Sequence, residues 1–144
     1  MDELPITYRG VVYPWQCDHM NHMNVMWYVG KFDEATWNLL ALVGLTPSLL
    51  REQGRGMVAV KQEIAYKREL LAGQTLTIRS GVLEVREKVV RFFHEMTNND
   101  TGDIAAVTVL TGLQIDTTSR KTCPFGEDVL ARGRSLVTDY EPKM

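Results

Sequence analysis

One long helical pattern limits what this chain of 144 residues can fold into more than any other feature. From about Asn24, apolar side chains recur at the three- and four-residue spacing of an α-helix until Gly44 ends the pattern as a C-terminal cap. Met26, Trp27 and Trp37 lie on the other side of this helix, which is therefore apolar nearly all round. We expect a central helix that the rest of the chain wraps.

The remaining chain is dominated by strand patterns. Four runs rich in β-branched and aromatic residues occupy 57–70, 74–85, 88–97 and 103–116, and turn-like breaks between them predict an antiparallel meander. A first strand is expected over Ile6–Trp15, and Thr46-Pro47 predicts the start of a short helix that runs to about Gln53. The tail predicts a closing helix within Pro124–Arg134 and a frayed end.

These elements predict an α+β fold in which a curled antiparallel sheet grips one long helix. We expect a single domain over 1–144, with a core at about 6–118 and a tail at 119–144. A net charge of −2 gives no general attraction to nucleic acid, and no apolar stretch reaches the ~18 residues of a membrane helix. The two cysteines lack CxxC spacing and no export signal is visible, so we expect unpaired thiols and a cytoplasmic location.

Polar residues crowd the segment directly before the long helix. Asp18, His19, His22 and Asn24 fall within seven positions. An ionised Asp can attack a carbonyl or activate water, while free N–H groups at a helix start polarise the carbonyl oxygen. Asn24 is a good N-cap residue, which would leave the N–H of Val25 unpaired. The alternative is that Asp18 merely caps a turn.

The same segment resembles the hotdog-fold acyl-CoA thioesterases, in particular the branch related to 4-hydroxybenzoyl-CoA thioesterase. The family pattern D-x-M-G-H-x-N-N-x-x-Y ahead of F-E-E-A corresponds here to Asp18, Met20, His22, Asn24, Tyr28 and the run Phe32-Asp33-Glu34-Ala35. A second family signature resembles 66–76, YKRELLAGQTL, and the likeness covers about 6–118. Asn21 replaces a frequent Gly, and Val25 replaces a common second Asn.

The resemblance implies a hotdog fold and hydrolysis of an acyl-CoA thioester to free acid and coenzyme A. Asp18 would be the nucleophile or general base, and the N–H seven residues later, that of Val25, would polarise the carbonyl. Substrate contacts are expected from His22, Asn24, Tyr28 and Trp27. His22 is expected to orient the carbonyl, hold Asp18 or contact the leaving thiol, with a loop-stabilising role as the alternative.

The resemblance also implies self-association, as a homodimer or homotetramer with a site built from two subunits. No cofactor is expected, because coenzyme A is part of the substrate. Two alternatives stay open at this point: a hotdog-fold hydratase or dehydratase that acts on the C2–C3 bond of the acyl chain, and a non-catalytic acyl-CoA-binding protein.

Three further patterns bear on ligands. Coenzyme A phosphates need cations, and the candidates are Arg86, Lys88 and Arg91, with Lys67-Arg68 and Arg120-Lys121, each of which also fits an ordinary solvated face. The Asp18-His19-x-x-His22 spacing lacks a further ligand, so we expect no metal. The aromatic faces of Trp15, Trp27 and Tyr28 suggest binding of a quaternary ammonium, as in a betainyl group.

Overall fold

The computed structural model describes residues 4–144. In chain order its elements are β1 (Ile6–Val11), α1 (Val25–Leu42), α2 (Pro47–Gln53), β2 (Arg55–Tyr66), β3 (Thr75–Val85), β4 (Val89–Asn98), β5 (Ile104–Asp116) and α3 (Glu127–Ser135). The strands form one antiparallel sheet in the order β1-β3-β4-β5-β2. The α+β class and the helices are therefore as expected, and the strand bounds differ from the expected ones by a few residues.

The first strand is shorter than expected because of Pro14. β1 ends at Val11, and a 3₁₀ turn occupies Pro14–Gln16. Proline has no N–H to give to a sheet, and its fixed φ suits the start of a helical turn. Gln16 closes this turn, because its Oε1 accepts from the N–H of Tyr13 at 3.1 Å. The turn carries the chain off the sheet and towards the start of α1.

The expected four-strand meander is wrong in its first strand. Only β3, β4 and β5 pair in sequence order, whereas β2 pairs with β5 at the far edge, with Arg55 opposite Asp116. The connection 67–74 crosses the end of the sheet instead of making a tight hairpin. Lys67 N–H bonds to the carbonyl of Ala105, and Leu70 accepts from Met23 N–H. The alternation of apolar residues along a strand determines which face is buried, but it does not determine which other strand pairs with it.

Helix α1 lies on one face of the sheet. The side chains buried against the sheet are those of Tyr28, Phe32, Ala35 and Leu39. The expectation of a helix wrapped by the rest of the chain is confirmed only on the side that faces the sheet, since its outer side stays open in the single chain. Four large apolar side chains are exposed there, Met26, Val29, Trp37 and Leu42. The reason is that one sheet of five strands covers only one side of a helix.

A polar network crosses the core beneath the middle of α1. His94 on β4 is completely buried and lies parallel to the Phe32 ring, with centroids 5.9 Å apart. Its Nε2 is 2.8 Å from Thr36 Oγ1, and its Nδ1 pairs with Ser80 Oγ, which is 2.7 Å from Thr7 Oγ1. Burial lowers the pKa of His94 to about 3, so the imidazole is neutral.

The C-terminal segment closes both faces of the far half of the sheet. Phe125 and Val129 of the α3 region join the core cluster around the C-terminal half of α1. Tyr140 stacks on Phe93 at 5.4 Å and donates a hydrogen bond to Glu95. The tail is therefore held as far as Tyr140, where the expectation of a frayed end is wrong, because a buried aromatic ring on the outer face needs a cover.

Candidate active site

Asp18 is held in the loop that leads into α1. Its Oδ2 accepts from Asn24 Nδ2 at 2.8 Å, and its Oδ1 accepts from the N–H of Met20 at 2.9 Å. Its own N–H donates to the carbonyl of His22 at 3.2 Å. The Asn24 hydrogen bond, followed by that of Met20, lowers the pKa of Asp18 below its ordinary value. The carboxylate is therefore ionised at neutral pH.

The loop reverses direction at Asn21, which adopts the left-handed conformation with φ 67°. Its N–H donates to the carbonyl of Asp18 at 2.9 Å and so closes the turn. Glycine is the usual residue for this conformation, and Asn is one of the few others that adopt it readily. This explains why Asn21 can stand where the resembling sequences often carry Gly.

Asn24 joins the loop to the helix. As the expected N-cap, its Oδ1 accepts from the N–H of Met26 at 3.0 Å, and its carbonyl accepts from the N–H of Trp27 at 3.0 Å. Within residues 4–144, the backbone N–H of Val25 has no hydrogen-bond acceptor, and Val25 is 55% exposed. The same asparagine therefore binds the Asp18 carboxylate and borders an unpaired amide at the helix start.

A cleft of about 200 Å³ opens beside this helix start. Val25, Tyr28 and His22 line one side, and the end of β2 with the following residues lines the other. The rings of Tyr28 and Tyr66 stand at 89° with centroids 5.2 Å apart. The Tyr28 hydroxyl donates to the carbonyl of Arg68 at 3.3 Å, which fixes its ring.

The side chain of His22 points into this cleft and makes no hydrogen bond to Asp18. Its Nε2 lies 3.7 Å from Glu69 Oε1, and its Nδ1 lies 3.4 Å from the carbonyl of Met23. Trp27 packs against the core cluster around Tyr28 and does not line the cleft. Tyr66 and Glu69 were absent from the sequence-based site; their only signal was their place within the second family signature, 66–76.

A second, larger groove of about 450 Å³ follows the exposed side of α1. Met26, Val29 and Trp37 line it from the helix, and Met57 and Val58 line it from β2. Asp33 is the one charged side chain among the described residues that line it. The groove is therefore an apolar surface between a helix and an edge strand.

Three of the expected phosphate-binding cations, Arg86, Lys88 and Arg91, do not lie at the helix start. Arg86 and Arg91 lie at the opposite end of the sheet, where both approach Glu84, at 2.9 and 3.8 Å. Lys88 is in the same β3–β4 turn, and its carbonyl accepts from Gln114. Lys67 and Arg68, by contrast, line the cleft beside Val25.

The three aromatic residues suggested for a cationic ligand are also not brought together. Trp15 is 68% exposed and stacks on Tyr13 at 4.5 Å, Trp27 packs into the core, and Tyr28 lines the cleft. Within 4–144, no group of three or more His, Cys, Asp or Glu side chains is placed to hold a metal ion. No helix in that range is long and apolar enough to cross a membrane. Cys17 and Cys123 are free thiols.

Comparison with known proteins assigns this arrangement to a family. Residues 12–133 match the family described as the thioesterase-like superfamily, which includes the loop, α1 and all of β2 to β5. The chain belongs to the thioesterase-like superfamily. The resemblance found in the sequence, the hotdog fold and the thioesterase class are thereby confirmed.

Three relatives illustrate where this thioesterase stands. A betainyl-CoA thioesterase of Pseudomonas aeruginosa is 24% identical over 136 residues, which cover 94% of this chain and 86% of that one. An L-carnitine dehydrogenase/betainyl-CoA thioesterase of Rhizobium meliloti is 26% identical over 85% of this chain, and the match spans only 25% of that longer protein. A Staphylococcus aureus protein solved in complex with CoA superimposes with a TM-score of 0.88 at 18% identity, covering 99% and 92% of the two chains.

Proposed function

We propose that this protein hydrolyses an acyl-CoA thioester, with Asp18 as the nucleophile or general base and the Val25 N–H as the donor to the carbonyl oxygen. The observation that carries the proposal is the double role of Asn24. It bonds to the ionised Asp18 carboxylate at 2.8 Å and caps the helix whose first N–H is unpaired within the described chain. An anionic group and an oxyanion donor are the two parts that acyl transfer from a thioester requires.

The chemistry follows from these two groups. The Val25 N–H draws electrons towards the thioester oxygen, and either an Asp18 oxygen or a water deprotonated by Asp18 attacks the carbonyl carbon. The C–S bond breaks and the thiolate of coenzyme A leaves. In the first route, water then hydrolyses an acyl-aspartyl anhydride; in the second, the acid forms directly. Both routes consume one water and release one acid and one thiol.

Coenzyme A itself would lie along the cleft beside Val25. The support is that Lys67 and Arg68 line this cleft, whereas Arg86, Lys88 and Arg91 are at the other end of the sheet. Cations at a cleft mouth match the phosphates of the coenzyme. We expect His22 and Tyr28, which line the cleft, to contact the acyl end.

We propose a homodimer as the smallest active assembly, with a tetramer as its extension. The support is the edge strand β2, whose residues 58–63 are all exposed, together with the apolar groove between β2 and α1. Unpaired edge strands with apolar side chains invite pairing with a second copy. The free thiols fit the reducing cytoplasm as the place of the reaction.

The identity of the acyl group is the next property of this function to determine. Relatives named for betainyl-CoA make a trimethylammonioacetyl group the first one to test. A screen should measure thiol release from short, long, aromatic and cationic acyl-CoA esters by the wild type.

Asp18→Asn is the variant that tests the mechanism. We expect a loss of ~10² or more in kcat with the circular dichroism spectrum unchanged, because the amide can neither attack nor take a proton. Asp128→Asn, at an exposed aspartate on α3 that lines neither the cleft nor the groove, is the matched control and should retain activity. An Asp18→Asn protein with full activity would contradict the proposal. Loss of an enoyl absorbance without thiol release would indicate a hydratase, and binding without either reaction would indicate an acyl-CoA sensor.

A further inference from the structure

We infer that the corner formed by Tyr28, Tyr66 and Glu69 recognises a quaternary ammonium carried one carbon away from the thioester carbonyl. This inference rests on the proposed hydrolysis, because the helix start at Val25 then fixes where the carbonyl lies. It names the part of the acyl group that the cleft selects and the side chains that select it.

The geometry of the corner suits a compact cation. The two tyrosine rings meet at 89° with centroids 5.2 Å apart, and both residues line the cleft. Tyr28 is 4% exposed and Tyr66 is 48% exposed, which makes one wall fixed and the other accessible. Aromatic faces attract cations through the negative potential above the ring, and quaternary ammonium ligands are commonly bound in this way.

The charge around the corner supports the same ligand. Glu69 lines the cleft, and within the described residues the only Lys, Arg or His nitrogen within 4 Å of its carboxylate is His22 Nε2, at 3.7 Å. Burial raises the pKa of Tyr28 to about 12, and the Glu69 carboxylate acts in the same direction. The Tyr28 ring is thus a neutral phenol with a negative charge nearby. Lys67 and Arg68 are exposed residues of the same cleft, available to the phosphates of coenzyme A.

The distance from Val25 distinguishes this corner from a second pair of an acid and an aromatic residue next to α1. Asp33 and Trp37 line the second groove one helical turn apart. At a rise of 1.5 Å per residue they lie about 12 and about 18 Å along the helix from Val25. An ammonium attached to the carbon next to the carbonyl lies only about 2.5 Å from the carbonyl carbon. Tyr28 lies only about 4.5 Å along the helix from Val25, so such a cation is much nearer to the Tyr28 corner than to Asp33 or Trp37.

The test compares two esters of the same shape. Betainyl-CoA carries a trimethylammonium where 3,3-dimethylbutanoyl-CoA carries a tert-butyl group, so the two differ in charge alone. The quantity to measure is the ratio of their kcat/KM values in each variant. Intrinsic reactivity of the two esters and the folded fraction of a variant cancel when this ratio is compared between proteins.

We expect the ratio to fall about 5-fold or more in Glu69→Gln and in Tyr66→Leu, which corresponds to the usual strength of one cation–π or charge contact. Tyr66→Phe keeps the aromatic face and should keep the ratio, and Asp33→Asn and Trp37→Leu should also keep it. A ratio unchanged in both Glu69→Gln and Tyr66→Leu would overturn the inference, as would a fall in Asp33→Asn.

The same measurements distinguish failure of the cation-binding corner from failure of the proposed thioester hydrolysis. If the wild type releases thiol from other acyl-CoA esters but from neither of these two, the cation-binding corner is wrong and the hydrolysis stands. If it releases thiol from no ester in the screen, the proposed hydrolysis itself fails.

Discussion

At the scale of single residues, the arrangement depends on Asn24 more than on any other side chain near the loop. Its amide oxygen caps α1, and its amide nitrogen bonds to Asp18. A short polar side chain at the N-cap is ordinary, and most such residues make only the first of these bonds. The second bond couples the charge state of the carboxylate to the start of the helix.

This coupling predicts a shift in the pH profile of Asn24→Ser. Serine keeps an oxygen for the helix N-cap and loses the amide donor to Asp18, so the pKa of Asp18 should rise towards its ordinary value. In the proposed mechanism activity requires the ionised carboxylate, so the acid limb of kcat/KM should move to higher pH than in the wild type. The measurement is kcat/KM for thiol release across the acid range. An acid limb that stays in place would show that this bond does not set the pKa of Asp18.

Residues that lie close in sequence were the predictable part of the site. Asp18, Asn24 and Val25 follow from capping chemistry and from the family pattern, because eight consecutive positions contain all of them. Tyr66 and Glu69 reach Tyr28 and His22 only through the path of β2 and the segment after it. No local periodicity encodes that path, so sequence analysis missed both residues.

At the scale of elements, the His94 network fastens α1 to β3 and β4. Thr36 donates to the Phe32 carbonyl at 3.0 Å, so its oxygen is free to accept from His94 Nε2–H. His94 Nδ1 then accepts from Ser80, and both ring nitrogens are satisfied in the neutral form. A protonated ring would leave one donor without an acceptor inside the core.

This network predicts acid sensitivity of the folded state. The unfolded chain takes up a proton on His94 below a pH of about 6.5, and the folded chain does so only near 3. Stability from His94 is thus complete above the unfolded pKa and is lost as pH falls, at roughly 1.4 kcal/mol per pH unit between the two values. Urea unfolding of the wild type and of His94→Gln should show their free-energy difference shrinking at this rate from pH 6 to pH 4.

The control for that experiment is His19→Gln, at an exposed loop position outside the network. It should follow the wild-type dependence on pH. A His94→Gln protein with the same slope as the wild type would show that the buried ring takes up its proton in the folded state as readily as in the unfolded one.

Element types were predictable and element neighbours were not. The helical period of α1, the Thr46-Pro47 start of α2 and the alternation in β3 to β5 are local properties of the chain. The position of β2 beside β5 depends on the bonds that hold 67–74 to Ala105 and Met23. Those partners are distant in sequence, and no turn motif in the sequence predicts them.

At the scale of the whole molecule, two surfaces with exposed apolar side chains border the same groove. The open side of α1 presents Met26, Val29 and Trp37, and the edge strand presents Val58. Val60 is 57% exposed at an irregularity in the β2–β5 register. A second copy that paired along β2 would cover the groove and complete the surroundings of α1 that the sequence led us to expect.

This predicts that Val60→Lys weakens self-association. A charge at the centre of the exposed strand opposes pairing with an identical strand, since two lysines would meet across the new edge. Sedimentation velocity at micromolar concentration should show a dimer or tetramer for the wild type and a shift towards monomer for Val60→Lys. Ile6→Lys, on the opposite edge strand β1, is the matched control and should sediment like the wild type. A monomeric wild type would contradict the proposed assembly.

The strand order has a kinetic consequence for how activity is acquired. β3, β4 and β5 form two successive hairpins, whereas β1 and β2 close only when Ile6 meets Arg79 and Arg55 meets Asp116. Long loops close more slowly than short ones, so the edges are expected to join a central sheet that already exists. The loop with Asp18 is tethered between β1 and α1. Catalytic activity would then be the last property that a newly synthesised chain gains. It would also be the first property lost when an edge strand detaches from the sheet.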